Sequence, residues 1–330
     1  MTTTTADVVS AQKTRTWKSI VGNFLIRNIM VVVMLLIVAF FAYRSARFAT
    51  PDNLVTILVA AAPFALIALG QTLVILTGGI DLSVGSVIAA SAMAAAWSAK
   101  NLGDNPLYPL LAALLAGLAA GAINGFVVSR LNVPPFIATL GMLTLASGVA
   151  YVIGNGAPIN GLPASYGVWA NTEFLGFTVP VILMIVAIIV FAFVMRRTSY
   201  GLRVYAIGGN RLAAEIAGVR SKRLLFSVYA ISGILAGLSG LMLSSRVSTG
   251  APNLGQGYEL DAIAAVVIGG ASLMGGRGSV WGTALGLLLI QTINNGLDLL
   301  LVPAYWQDVI KGVIIVAAVA ADVWASKRRT

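Results

Sequence analysis

Ten apolar stretches follow one another along the chain, near residues 26–43, 54–77, 82–99, 107–129, 136–153, 178–195, 224–243, 260–275, 279–301 and 304–325. An apolar window of about 19 residues is the signature of a membrane-crossing helix. The hydrocarbon core holds no water, so a crossing segment satisfies its backbone either within a helix or within a closed barrel. These stretches lack the period-2 alternation of barrel strands, which leaves helices. A soluble domain carries about 25% charged residues, whereas this chain has 10% charged and 58% hydrophobic residues. The expected fold is all-α: a polytopic helical membrane protein with about ten transmembrane helices, some short or broken by Gly and Pro.

Charge placement sets the orientation. With the N-terminus inside, 16 Lys and Arg fall on the cytoplasmic side against four outside (Arg44, Arg47, Lys100 and Arg246), and the inverted topology reverses that ratio. Lys and Arg are retained on the cytoplasmic face, so both termini are expected there. The plan that follows is a flexible cytoplasmic N-terminal tail at 1–25, a single transmembrane domain at 26–325 and a basic cytoplasmic C-terminal tail at 326–330. No cleavable signal is expected, because the first apolar run begins near Phe24, too late and too extended for a short signal core. The net charge of +10 follows from this clustering and does not call for nucleic acid. With no cysteine and no histidine, disulfides, Cys/His metal sites, haem ligated by either residue and His-based triads are excluded. No metal site and no catalytic residue is expected.

Three segments carry the specific information. In GQTLVILTGGIDLSVGS, 70–86, an apolar helix ends at Gly78-Gly79 and a new one begins after Asp81, with Asp81 and Ser83 placed as caps for the second. A carboxylate in hydrocarbon costs roughly 2.5–3.5 kcal/mol, so Asp81 faces protein, water or the helix end. Two readings stay open: a broken helix whose polar backbone lines a solute path, or a helix–turn–helix with a capping Asp at the interface. In GYELDAIAAVVIGGASLMGGRGSVWGTALG, 257–286, the apolar run is short for a full crossing, and its glycines allow either close helix packing or a flexible gate. The preceding stretch 244–260 is external and polar, with the Gly/Pro content of a segment that dips into the membrane. GGIDLSVGSV (78–87) and GGASLMGGRGSV (269–280) echo each other, as an internal duplication or by the chance similarity of Gly-rich sequence.

The third segment is the loop 196–223, with seven Lys/Arg and one acid. Within it LAAEIAG, 212–218, is built of strong helix formers, Asn210 is placed to cap it and Gly218 to end it. Such a rigid cytoplasmic helix could receive the push of a soluble motor; an amphipathic loop on anionic lipid is the equal alternative on physics alone.

These residues carry a resemblance. Ala213-Ala214, three residues, then Gly218 resembles the core of the coupling segment in permease subunits of bacterial ABC importers, with Leu212 where other branches carry an acid. GQTLVILTGGIDLSVGS, VPPFIATLGM, GLRVYAIGGNRLAAEIAGV and the 257–282 segment, in that order, look like the ribose/xylose/galactose branch, over about 53–322. The resemblance implies that the transmembrane domain is a permease. It implies a membrane subunit that pairs with a second permease copy or a paralogue, binds cytoplasmic ABC ATPase subunits and accepts a monosaccharide from an extracytoplasmic sugar-binding protein. Tyr205, Gly208, Asn210, Ala213, Ala214 and Gly218 are then the ATPase-coupling residues. The chain has no GxxxxGK(S/T) sequence, so ATP and Mg are expected on the partner ATPase and no cofactor on this chain.

A neutral sugar presents hydroxyls, which amides, hydroxyls and carboxylates can meet. Gln71, Asp81, Ser83, Asn124, Asn294 and Asn295 are the candidates for the translocation path, with Thr72, Thr139, Thr144 and Gln291 also within membrane segments; each could instead bond a neighbouring helix. Asn124-Gly125 and Asn294-Asn295-Gly296 are expected near helix ends. Asp308 and Lys311, three apart in the last helix, are placed to pair locally. The competing functions are a related ABC permease for amino acids or nucleosides, an ion-gradient-driven secondary transporter, and an intramembrane enzyme.

Overall fold

The computed structural model describes residues 29–174 and 176–327. The N-terminal tail expected at 1–25 lies outside the described residues, and the C-terminal tail is described only as far as Lys327, where the last helix ends. Every apolar stretch becomes a helix. In chain order these are α1 (Ile29–Arg44), α2 (Pro51–Leu76), α3 (Val84–Asn101), α4 (Leu107–Arg130) and α5 (Pro135–Ile153). The external connection that follows holds a short 3-10 turn (Ala164–Gly167), α6 (Val168–Asn171) and a two-stranded hairpin of β1 (Glu173–Phe174) and β2 (Phe177–Thr178). Then come α7 (Val179–Arg197), α8 (Ser199–Gly209), α9 (Arg211–Ile216), α10 (Ser221–Val247), α11 (Tyr258–Ile268), α12 (Val280–Leu299) and α13 (Ala304–Lys327). Among the described residues, α2, α4, α5, α7 and α10 are long and apolar enough to cross a membrane by length and composition alone.

The scaffold is the antiparallel pair α4 and α10. Between lipid and protein there is no hydrophobic advantage, so membrane helices gain by close contact, which small residues permit. Gly117 lies against Gly233 and Gly121 against the Tyr229 carbonyl; a Cβ on Gly117 would stand 2.2 Å from the Gly233 oxygen. The antiparallel register brings Arg130 to the same end as Arg220 and Arg223, and that end is the basic, cytoplasmic one. Asn124-Gly125 therefore lies inside α4 rather than at a helix end, because Gly125 is one more contact point, against Phe226 of α10. Asn294-Asn295-Gly296 does lie near a helix end, in the last two turns of α12, where Gly296 receives the ring of Phe41.

Two crossings are broken. Between α2 and α3 the chain runs non-helically over 77–83. Before α11, residues 249–257 descend beside α3: Gly250 lies against Ala96, Gly255 against Ile88, and Glu259 against Gly85. From Ala96 to Gly85 is about 16 Å along a helix, so the chain re-enters the membrane as irregular backbone. The 11-residue α11 then completes the descent as a half-length helix. The outer end of this segment is pinned by the antiparallel bridge between Ile159 and Gly250. Irregular backbone at this depth is tolerated only where protein or a polar cavity shields it. The apolar stretch read as 260–275 stops being helical at Gly269-Gly270, where Gly270 takes φ +88°.

Candidate coupling surface and membrane-depth polar groups

The cytoplasmic helix read from LAAEIAG is α9. Asn210 accepts from the Ala213 N–H at 3.0 Å, as an N-cap side chain does. At the other end Gly218 takes φ +87°, while its N–H reaches the Glu215 carbonyl at 3.0 Å and that of Val219 reaches Ala214 at 2.9 Å. A side chain at 218 would meet open space, so glycine is needed there for its backbone conformation, not for room. Ala214 is buried against the membrane domain, whereas Leu212 and Ile216 are 69% and 81% exposed. One turn apart, they give the exposed face of α9 an apolar patch that the charge pattern of the loop did not announce. Arg211 pairs with Glu215 at 3.0 Å, and the Ser221 hydroxyl also donates to Glu215. These hydrogen bonds, the one from Ser221 foremost, hold the Glu215 carboxyl below its ordinary range.

Tyr205 and Gly208 face inward. The Tyr205 hydroxyl donates to the Gly278 carbonyl at 3.0 Å. Gly208 lies on the last carbonyl of α2: a Cβ there would stand 1.8 Å from the Leu76 oxygen and 2.4 Å from the Gly276 nitrogen. The Gly276 N–H itself donates to the Leu76 carbonyl at 3.0 Å. Gly275, φ +86°, packs on Gly78, φ +80°. The two echoing segments thus touch each other, and α8 rests on the point of contact. Backbone meets backbone at this joint, so a shift of α8 has no flexible side chain to absorb it.

Above the joint the polar groups of the first break close on one another. Ser83 donates to Asp81 Oδ1 through its N–H at 2.9 Å and its hydroxyl at 2.6 Å. Asn124 Nδ2 donates to Ser83 Oγ at 2.9 Å, and the Ser232 hydroxyl reaches Asp81 Oδ2 at 3.5 Å. With its amide turned to satisfy both groups, Gln71 accepts from the Asp81 N–H and donates to its carbonyl, each at 3.2 Å. Thr139 donates to the Ile80 carbonyl at 3.2 Å, and Thr72 bonds Thr283 at 2.8 Å. The capping read from the sequence is altered: Ser83 stands at the N-cap of α3 but makes no side-chain cap bond, because its hydroxyl is held by Asp81. Gln71, Asp81, Ser83 and Asn124 are all buried and brought together.

Asn294 and Asn295 lie elsewhere. Asn295 and Asn53 exchange amide hydrogen bonds at 2.9 Å between α12 and α2. Asn294 borders a small pocket beside Asp261 and Lys311, with a buried, unpartnered Oδ1. The local Asp308–Lys311 pair exists at 3.7 Å, but Lys311 is closer to Asp261, at 3.4 Å. Asp261 is level with Ile290, near the middle of α12, so this bridge joins α13 to the half-helix at membrane depth.

Sequence reasoning passed over a set on the open side of the re-entrant segment. Ser86, Ser147, Tyr151, Asn253, Gln256 and Glu259 line a cavity of about 240 Å3 between α3, α5 and residues 252–259. On the other side of Gln256, a second opening of about 500 Å3 reaches Asp261, Asp308 and Lys311. The sequence signal for Asn253, Gln256 and Glu259 was the polar, Gly/Pro-rich stretch at 244–260; Ser86, Ser147 and Tyr151 carried none.

The helical bundle, with α8 seated where Leu76 and Gly276 meet, has the make-up of a multi-pass membrane protein. Residues 53–319 match the family described as the permease component of branched-chain amino acid transport systems, and the chain belongs to that family. It is 41% identical to the ribose import permease of Bacillus subtilis over 303 residues, 91% of this chain and 92% of that relative. The ribose import permease of Escherichia coli is 41% identical over 88% of this chain and 92% of its own length. The fructose import permease of Rhizobium meliloti is 35% identical over 90% and 85%, respectively. No solved structure is a significant match. The chain is a multi-pass transport subunit of the cytoplasmic membrane, not an enzyme.

Proposed function

We propose that this chain forms the translocation path for a monosaccharide in an ATP-driven importer, receiving the sugar from an extracytoplasmic binding protein. A separate ABC ATPase holds ATP and Mg, and a second copy of this chain completes the path. The observation that carries this reading is the joint of Gly208 with Leu76 and Gly276. An ATPase gripping α9 through Leu212, Ala213 and Ile216 moves α8, and α8 bears directly on the inner ends of both broken crossings. ATP and the loaded binding protein each favour one arrangement, which is all that such coupling requires. Asp81, Ser83, Asn124 and Gln71 act one step back from the solute, holding the first break in shape so that the start of α3 faces the path. The sugar reading over amino acids or nucleosides is favoured by the ribose and fructose names of the relatives.

The test is uptake into proteoliposomes holding the permease and its ATPase, with binding protein outside and D-ribose, D-allose and D-fructose as labelled probes. Uptake that requires enclosed ATP is expected. Uptake driven by an ion gradient without the ATPase contradicts the reading. Replacing Gly208 with Val is expected to leave the ATPase bound but to abolish stimulation of its turnover by loaded binding protein.

A further inference from the structure

We infer that the cavity between α3, α5 and residues 252–259 is a binding site for an uncharged polyol, at the point where solute passes the middle of the bilayer. The inference rests on the importer reading and assigns a site within it.

Depth comes first. The cavity opens beside Gly85 and Ser86 in the first turn of α3, one half-crossing below the bridge at Gly250. A carboxylate facing lipid there would cost roughly 2.5–3.5 kcal/mol, and Glu259 is accompanied by the exposed amides of Asn253 and Gln256. This face therefore meets water and solute. The lipid-facing surfaces differ: α4 exposes Leu111, Leu115, Ile123 and Phe126, and α7 exposes Ile185, Ile189 and Phe193.

Two Ser hydroxyls, two amides, a phenol and a carboxylate surround about 240 Å3, with no Lys or Arg among them. Every one of these groups can exchange hydrogen bonds with hydroxyls, and the Tyr151 ring offers an apolar surface to a sugar face. A carboxylate without a neighbouring cation repels phosphorylated or acidic solutes, so the site selects neutral ones. The Glu259 carboxylate lies directly over Gly85, with Oε2 2.1 Å from where a Cβ would stand. The N-terminal end of α3 favours negative charge there, and the Asp81–Ser83–Asn124 network fixes that end.

The chain contains no cysteine, so single cysteines can map this face in the assembled transporter. Ser147→Cys and Asn253→Cys are expected to react with the cationic, membrane-impermeant trimethylammonium-ethyl methanethiosulfonate about tenfold or more faster than Leu115→Cys on α4, since reaction needs a hydrated thiolate. Adding Glu259→Gln to Asn253→Cys is expected to raise labelling by the anionic sulfonatoethyl reagent several-fold relative to the cationic one. In uptake of D-ribose, D-allose and D-fructose, Ser147→Phe is expected to lose import of whichever sugar the wild type takes up, while loaded binding protein still stimulates the ATPase. Labelling no faster than Leu115→Cys, or a reagent preference unchanged by Glu259→Gln, overturns the site even if the wild type imports sugar. A wild type that imports none of the three sugars counts against the importer reading, while the labelling pattern still decides whether the cavity faces water.

Discussion

The α4–α10 side and the α5–α11–α13 side of this bundle bury polar groups in opposite ways. On the first, glycines bring two backbones into contact, and Asp81, Ser83, Asn124 and Ser232 around the break at 77–83 bond one another, while the buried hydroxyls of Ser129, Tyr229 and Ser239 stand without a partner. On the second, the re-entrant backbone leaves Asn253, Gln256 and Glu259 facing an opening, and a salt bridge ties a half-helix to its neighbour. Polar groups in a membrane are costly wherever they sit. A closed network removes that cost by internal pairing, whereas an open one requires water or a solute. Under the proposed function, the first side is the fixed wall of the permease and the second the working one.

The largest expected effects on stability come from one contact on each wall. Gly233→Leu forces a side chain onto the Gly117 carbonyl and is expected to destabilise the protein by about 3 kcal/mol or more, read as a lost or strongly lowered melting transition in detergent. Lys311→Ala leaves Asp261 buried without its cation, for which about 3 kcal/mol is expected; the double variant with Asp261→Asn should recover part of it in the same melt. Asp81→Ala and Glu259→Gln sharpen the comparison as a pair. The first strands the Ser83 and Ser232 hydroxyls and should lower stability by about 2 kcal/mol. The second should leave the melt within about 0.5 kcal/mol and act on transport instead. Smallest of all, Tyr229→Phe removes a buried hydroxyl that has no hydrogen-bond partner and should shift stability by no more than about 0.5 kcal/mol.

Much of the fold was legible because the bilayer imposes helices on long apolar stretches, and Gly78-Gly79 marks where one stops; the stop at Gly269-Gly270 was not read, because the apolar run continues through it to 275. The coupling helix was legible from short-range rules: Asn210 caps α9 and Gly218 ends it with positive φ. Partners across helices were not. Gln71, Asn124 and Ser232 meet Asp81 and Ser83 from three helices that are apolar on most faces, so no amphipathic stripe in their sequences sets which side turns inward. The same reason hid the cavity: Ser147 and Tyr151 look like ordinary interruptions of an apolar helix until 252–259 is laid beside them. Leu212 reads in the sequence as a departure from an acidic motif position, and only the structure shows it exposed beside Ile216 as part of an apolar patch.

The contrast between the two walls is tested most directly by hydrogen–deuterium exchange on the assembled permease and ATPase, with and without ATP. The account predicts that nucleotide changes exchange in 249–261 and 269–279, the segments bearing the re-entrant backbone and the joint with Gly208, while α4 and α10 keep their protection. Nucleotide-dependent exchange in α4 and α10 with none in 249–261 would contradict it.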